Sequence, residues 1–270
     1  MKNILFILLV SILMISCEKE VQVEIKDNNP KLVLSAHIGS GEVLKIYLSS
    51  SIPLYDVHSG QITIIEDAVV EISSDNTNWK TLHYNSTDKN YILSLLEFNA
   101  TEGQTYYVRA SANGYQPVKS SCSIPFYNPV VVNLAKIDTN DNGMGSSNSK
   151  LIITFKVKDA IGQKNYYGIN VFLNEQQLFQ ENNNTWVFSD NLGDGSDFLF
   201  NFNSYYWHHG DSVNVRLFQT NESFYLFHFS YENYVSDNPF SEPSPVFSNI
   251  ENGLGICSGY TYRDYNFIIP

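Results

Sequence analysis

Two acidic loops have the residue types and spacing that a calcium ion requires. The first opens with Asp138-Thr139-Asn140-Asp141-Asn142-Gly143, so oxygen-bearing side chains alternate and glycine comes sixth, as at the start of an EF-hand loop. Its twelfth position is Ser149, in place of the bidentate glutamate. A second acidic turn spans residues 190–197. Because Asp, Asn and Gly are also the ordinary residues of tight turns, solvated loops are the alternative in both places. The candidate calcium ligands are Asp138, Asn140, Asn142, Asp190, Asp194 and Asp197. These candidates are weak, so the sequence as a whole predicts neither a bound metal nor another cofactor.

The aromatic run Tyr205-Tyr206-Trp207 could form a stacking platform for a ligand. Flat rings offer an apolar surface to the C–H face of a sugar, and Trp79 and Trp186 supply further rings elsewhere in the chain. The core of an aromatic-rich β-sandwich has the same composition, so buried packing is the alternative. A glycan or a peptide is the ligand class that Tyr205, Tyr206 and Trp207 would favour.

The signatures of common catalytic sites are absent from the sequence. It contains no phosphate-binding glycine loop, no nucleophile elbow and no His-Glu-x-x-His motif. We therefore expect a binding or accessory protein with no catalytic residues. A structural component of the cell surface is one alternative, and a hydrolytic enzyme whose site is assembled across domains is another.

Of the three cysteines, Cys17 lies in the N-terminal segment, and Cys122 and Cys257 remain as an even pair in the rest of the chain. In an oxidising compartment such a pair can form a disulfide. The bond would join segments that are far apart in the sequence. Two buried free thiols are the alternative, and the spacing does not decide between them.

The first twenty residues have the pattern of an export signal followed by a lipid anchor. Lys2 supplies a positive start, residues 4–15 are almost all apolar, and Ser16-Cys17 ends the run in a way that resembles a bacterial lipobox. The run is too short to span a bilayer, which needs about 20 residues. We expect a signal peptide over residues 1–16, acylation of Cys17, and a lipidated leash over residues 17–30. An ordinary cleaved signal is the alternative.

The charge balance excludes one class of partner. The chain carries 28 acidic and 16 basic residues, a formal net charge of −12 at pH 7, and no basic stripe. Such a surface repels phosphate backbones, so we expect no nucleic-acid partner. Hydrophobic residues make up 43%, which is enough for packed cores, and the 18 Tyr and 17 Phe favour strands over helices.

Residues 31–125 are predicted to form an immunoglobulin-like β-sandwich. Seven short strand-like segments are separated by turn residues at the spacing of such a domain. Residues 103–110 resemble the corner of these domains, in which a tyrosine hydroxyl, here that of Tyr106, ties down the preceding loop. Strand alternation puts Tyr106, Val108 and Ala110 on one face.

Residues 126–270 are predicted to form a second β-rich domain with one helix at about residues 221–235. Asn221 is a plausible N-cap, and Asp237-Asn238-Pro239 ends the segment. We expect the aromatic stripe to pack on the sheet, with Leu226 and Phe229 buried as well. The stripe consists of Phe224, Phe227, His228, Tyr231, Tyr234 and Val235.

Gly253-Leu254-Gly255 precedes the last predicted strand. The two glycines indicate backbone that a Cβ atom would obstruct. We expect Leu254 to pack inward within a structural clasp, and a recognition loop is the alternative.

Several segments, spread over nearly the whole mature chain, match one known pattern in the same order. They are the lipobox, Leu32-Val33-Leu34, Gly103–Tyr106, Asp159, Asn165-Tyr166-Tyr167 and Ser248–Gly255. Together they resemble a Bacteroidota outer-membrane lipoprotein family, catalogued as domain of unknown function 4249. The chain departs from the pattern at Cys257, where the family has an aromatic residue. The resemblance implies an outer-membrane lipoprotein, often encoded beside a TonB-dependent transporter, and supplies no catalytic residues.

Two short motifs fit the same setting. Glu18-Lys19-Glu20 looks like the signal that Bacteroidota place after the lipid cysteine to send a lipoprotein to the outer face. We therefore expect a lipid-anchored, surface-exposed protein, with a periplasm-facing one as the alternative. Asp211-Ser212-Val213 resembles the site at which these bacteria attach O-glycans, which makes Ser212 a candidate for glycosylation.

The lipid anchor gives the first testable prediction. Cys17→Ala removes the acylated atom, so the protein should leave the membrane fraction or accumulate with its signal peptide uncleaved, because acyl chains supply about 0.8 kcal/mol per buried methylene. Membrane fractionation and the mass of the mature chain measure both results. A fully processed Cys17→Ala protein that sediments with membranes as wild type does would rule out the anchor.

Overall fold

The computed structural model describes residues 29–52, 62–128, 131–140, 150–177, 186–204, 208, 210–234 and 245–269. Over these residues the protein is mainly β, as predicted, and includes one α-helix. No helix in this part of the chain is long and apolar enough to cross a membrane. Cys17 lies outside the described residues, so its acylation stays a prediction.

Two sheets of short strands pack face to face in the N-terminal half. The longer strands bury alternate side chains, the period that a pleated strand imposes, as the buried Leu32, Leu34, Ala36 and Ile38 of β1 illustrate. One sheet contains β1 (Leu32–Gly39), β2 (Leu44–Ser50), β5 (His83–Asn85) and β6 (Asn90–Leu93). The other contains β3 (Val69–Ser73), β4 (Lys80–Thr81), β7 (Thr105–Ser111) and β8 (Val118–Ser123).

The tyrosine corner predicted from the sequence is present. The Tyr106 hydroxyl accepts a hydrogen bond from the backbone N–H of Thr101 at 2.7 Å. Tyr106, Val108 and Ala110 are all buried on one face of β7, as the alternation predicted. The loop entering β7 is thereby fixed to the strand that follows it.

The second half adds strands to the same sheet and builds another. In the nine-stranded sheet the order is β12-β11-β15-β16-β1-β2-β6-β5, with β13 also pairing with β11. A separate three-stranded sheet has the order β14-β10-β9. The new strands are β9 (Val131–Asn140), β10 (Lys150–Lys158), β11 (Tyr166–Leu173), β12 (Gln176–Gln177), β13 (Trp186–Ser189), β14 (Asp197–Ser204), β15 (Ser212–Thr220) and β16 (Leu254–Ile268).

Strand β16 is shared by the two halves of the chain. Its first part pairs in parallel with β1, from Val33 opposite Leu254 to Gly39 opposite Tyr260. From Tyr260 onward it pairs antiparallel with β15, ending with Ile268 opposite Ser212. The nine-stranded sheet therefore runs without interruption from the sandwich into the second half.

The two hydrophobic cores meet along β16. The sandwich core includes Cys257, although every other member except Ile250 comes from residues 32–124. Farther along the strand, Tyr265 and Phe267 pack against the second core. That core lies between the β10 sheet and β11 with β15, and consists of Phe155, Val157, Tyr167, Ile169, Val171, Val213, Val215, Leu217 and Ile269.

The helix α1 (Glu222–Glu232) begins as predicted, because the Asn221 side chain accepts a hydrogen bond from the Phe224 N–H at 3.1 Å. The predicted burial of its stripe is wrong in part. Within the helix only Phe224 is buried, whereas Phe229 is 48% and Tyr231 52% exposed. The reason is that the ring contacts with the sheet are made by residues 224–228, on the first turns. Val235 lies outside the described residues.

The two glycines that flank Leu254, at the start of β16, are required by close backbone approaches. A Cβ atom on Gly255 would lie 2.1 Å from the Leu34 carbonyl oxygen, and φ there is +108°. A Cβ atom on Gly253 would lie 2.7 Å from the Leu32 carbonyl oxygen. The prediction that Leu254 packs inward is wrong, because it is 41% exposed and full burial starts at Ile256.

Gly255→Ala should lower the free energy of unfolding by about 1–3 kcal/mol more than Gly41→Ala does. Both glycines have positive φ, but nothing lies within 4 Å of a Cβ atom on Gly41, so the difference isolates the collision with β1. Guanidinium denaturation of the two variants measures it. Equal losses in the two variants would contradict the close approach.

Candidate functional site

A groove of about 970 Å³ lies on the outer face of the sheet formed by β3, β4, β7 and β8. Its floor comes from the outward side chains of two paired strands, because Tyr107 lies opposite Ser121 and Arg109 opposite Lys119. The intervening Val108 points into the sandwich core. Strand alternation thus separates a buried apolar face from an outer face that a ligand can reach.

One wall of the groove is the turn after β3. The Asp75 carboxylate accepts hydrogen bonds from the backbone N–H groups of Asn78 at 2.7 Å and Thr77 at 2.8 Å. These bonds, led by that from Asn78, hold the pKa of Asp75 well below its usual range. Asn76 has a φ of 58°, in the left-handed region. The turn thereby delivers Asn76 and Trp79 to the groove.

Trp79 is held in place by a stacked cation. The Arg109 guanidinium carbon lies 4.0 Å from the centroid of the indole ring. Arg109 Nε also donates a hydrogen bond to Glu71 Oε2 at 2.7 Å, which neutralises the guanidinium charge. The indole ring is therefore positioned before any ligand arrives.

The opposite wall is the segment 249–252, which directly precedes Gly253-Leu254-Gly255, the predicted clasp. Ser120 Oγ donates to the Asn249 carbonyl oxygen at 2.8 Å, and the Glu251 N–H donates to the Lys119 carbonyl oxygen at 2.9 Å. The Asn249 side chain also bonds both the N–H and the carbonyl of Cys257, each at 2.8 Å. The segment therefore both connects β8 to β16 and forms a wall of the groove.

The groove is electrically balanced. Arg109 is paired with Glu71, and Lys119 lies 3.3 Å from the carboxylate of Glu251. The remaining polar groups that line it are neutral amides and hydroxyls, which both donate and accept hydrogen bonds. These residues are Asn76, Tyr107, Ser120, Ser121, Ser223, Asn249 and Asn252.

The second acidic loop is partly assembled as the sequence suggested. One carboxylate oxygen from each of Asp159, Asp190 and Asp194 lies within 4.8 Å of the others. Asp190 opens a short 3-10 helix, Asp190–Leu192. Asp197 is not part of the group, because it starts β14 and pairs with Lys156 at 3.1 Å. Asp159 is a member that the sequence reading did not name as a ligand.

Hydrogen bonds within the acidic cluster give it a structural role. Asp159 accepts from the Tyr167 hydroxyl at 2.5 Å and from the Gly195 N–H at 2.7 Å, and Asp190 accepts from the Asn165 N–H at 2.8 Å. A set of carboxylate oxygens is what calcium takes. The oxygens of Asp159 and Asp190 also hold three chain segments together, which accounts for the burial of these two residues, whereas Asp194 is exposed.

The other predicted site residues are distributed differently. Asp138 and Asn140 belong to β9 and pair with Ile152 and Lys150, so this part of the expected calcium loop is strand, and the prediction of a loop is wrong there. Asn142 and the run Tyr205-Tyr206-Trp207 lie outside the described residues.

Ser212 is the exposed first residue of β15, and its glycosylation stays a prediction. Asp211, the preceding residue of that motif, accepts hydrogen bonds from the Asn174 side chain at 3.0 Å and the His208 N–H at 2.7 Å.

A serine–histidine contact that sequence reading missed lies beside the helix. His37 Nδ1 and Ser258 Oγ are 2.7 Å apart, joined by the register of β1 and β16 although 221 positions separate them. Ser258 is fully buried, so its hydroxyl is closed off from solvent. The His37 ring contacts Phe224, with centroids 5.6 Å apart, and His228, with centroids 5.9 Å apart. The ring of His37, held by Ser258 on the sheet, therefore packs the helix against the sheet.

Acid should loosen this contact. Burial, with a smaller effect from His228, lowers the pKa of His37 from 6.5 to about 4. As the pH falls, the imidazole of His37 therefore takes up a proton in the unfolded chain before it does so in the folded one. The free energy of unfolding, which has its full value above pH 6.5, should drop by roughly 2–3 kcal/mol as the pH falls toward 4. His37→Asn should flatten that part of the curve of unfolding free energy against pH. The exposed His208, changed to Asn, is the control; equal slopes for wild type and His37→Asn would contradict the assignment.

Comparison with known proteins gives a match to one protein family. No curated protein matches the chain. A family profile matches residues 18–266. This range includes every strand that forms the groove and β16 as far as Asn266. The chain therefore belongs to the family described as Domain of unknown function (DUF4249).

Proposed function

We propose that the protein is a lipid-anchored binding subunit of the outer-membrane surface, and that the groove on the four-stranded sheet holds a neutral saccharide. The anchor and the compartment rest on the export signal, the lipobox-like Ser16-Cys17 and the family resemblance. The ligand site rests on the groove. The observation that carries the proposal is an indole ring fixed by a cation in a groove whose lining includes amides and hydroxyls.

The chemistry of the groove favours a sugar over an ion or a nucleic acid. A pyranose ring has an apolar C–H face and a rim of hydroxyls. Trp79 and Tyr107 offer rings to that face. Asn76, Asn252 and Ser121 offer donors and acceptors to the rim. Among the described residues that line the groove, both cations are already paired, with Glu71 and Glu251, so neither is free to attract an anion.

The same proposal implies that the protein has a membrane transporter as its partner. A surface protein that holds an extended saccharide would act beside a TonB-dependent transporter, the arrangement that the family resemblance implies. Affinity purification of the tagged full chain from solubilised outer membranes tests this pairing. A set of co-eluting proteins that lacks any such transporter would contradict it.

Trp79→Ala should weaken saccharide binding by at least about tenfold, equivalent to about 1.4 kcal/mol, because it removes the stacking surface. Electrophoresis of the full chain carrying Cys17→Ala through gels containing neutral or anionic polysaccharides measures retardation. Tyr234→Ala, an exposed aromatic outside the groove, should migrate as the unsubstituted chain does.

Two results would count against the saccharide. Retardation by anionic polymers alone would contradict the neutral ligand. Equal retardation of the Trp79→Ala and Tyr234→Ala variants would place binding elsewhere. Matching unfolding midpoints for the two variants ensure that the comparison reports on the groove.

A further inference from the structure

The two cysteines of the described chain face each other across the sandwich. Cys122 lies on β8 in the four-stranded sheet, and Cys257 lies on β16 in the nine-stranded sheet. Their Sγ atoms are 3.3 Å apart, and both side chains are buried. The strands come from opposite layers, so a bond between the two would join the layers directly.

Neighbouring contacts fix the backbone on both sides of this pair. A Cβ atom on Gly259 would lie 2.3 Å from the Ser123 carbonyl oxygen, so the glycine lets β8 and β16 approach closely one residue beyond Cys122. On the other side, the Asn249 side chain bonds the Cys257 N–H and carbonyl, and the Ser120 hydroxyl bonds the Asn249 carbonyl. The pairing of the two thiols is thus set by the strands and does not depend on a mobile loop.

We propose that Cys122 and Cys257 are joined by a disulfide in the exported protein. The co-reactant is a protein disulfide of the oxidising compartment. One cysteine, as thiolate, attacks the donor disulfide and releases a donor thiolate. The second attacks the mixed disulfide and releases the other donor sulfur. Two thiols lose two protons and two electrons, and the donor disulfide becomes a dithiol.

The bond forms before the sandwich closes. The hydrogen bond with Cys257, together with burial, raises the pKa of the Cys122 thiol, which disfavours the thiolate needed for exchange. In the closed protein both sulfurs are also out of reach of a donor, since Cys122 is 5% and Cys257 0% exposed. The same burial protects the finished bond from reductants.

The bond closes a loop that contains everything between β8 and β16. That loop holds the three-stranded sheet, β11, β15 and the helix. Cross-linking a long loop restricts the unfolded chain and so favours the folded one. It also keeps β16 attached to the sandwich when the second half opens.

Peptide mapping of the wild-type full chain tests the proposal without any variant. The protein is isolated from membranes, denatured with iodoacetamide and no reductant, and digested. We expect a linked peptide pair containing Cys122 and Cys257, which separates on reduction. Two carbamidomethylated cysteines, or a link between two copies of the chain, would overturn the proposal.

Unfolding provides the second measurement. Reductant added throughout guanidinium denaturation should lower the midpoint of wild type and leave that of the Cys122→Ala, Cys257→Ala double variant unchanged. An equal response of the two proteins, or no response of wild type, would mean that no bond is present. Neither result depends on the groove or on its ligand.

Discussion

The parallel pairing of β1 with β16 is the contact on which the rest of the structure depends. This pairing begins at Leu254, the first residue of β16. The two backbones are so close there that a Cβ atom on Gly255 would lie 2.1 Å from the Leu34 carbonyl oxygen. Because β16 continues along β15, this one contact places the second core relative to the sandwich. It also delivers Cys257 to the sandwich core and Ser258 to His37. The segment that leads into β16 becomes a wall of the groove.

The two faces of the four-stranded sheet have different roles, and the outer face forms the groove. Its inner residues, such as Val108, build the core, and the outer ones, such as Tyr107, stay available to a ligand. The stacked Arg109 holds Trp79 and is itself neutralised by Glu71. In the binding role proposed above, the rigid aromatic positioning would lower the ordering cost of binding, and the balanced charge would favour uncharged ligands.

The sequence predicted what local patterns determine. Alternation predicted the burial of Tyr106, Val108 and Ala110, and the corner motif predicted the hydroxyl bond to Thr101, because both depend on neighbours in the chain. The capping of α1 by Asn221 was visible for the same reason. The exposure of Phe229 was not, since helical spacing shows which residues share a face but not how far the sheet extends beneath it. Trp79 was a stacking candidate from its type alone. The groove around it was missed, because segments near residues 76, 107, 119 and 249 meet only through strand pairing.

The position of β16 in the chain has a consequence for folding kinetics. The sandwich core contains Cys257, yet the rest of its members apart from Ile250 lie within residues 32–124, so more than half of the chain separates the first and last contributors. Folding rate falls as the sequence separation of contacts rises, because the entropy of closing a long loop is lost before its contacts form. Until β16 docks, β1 has an unpaired edge, and such edges recruit other chains. A chain exported unfolded, as the export signal predicts, therefore has to keep this edge protected until the last strand arrives.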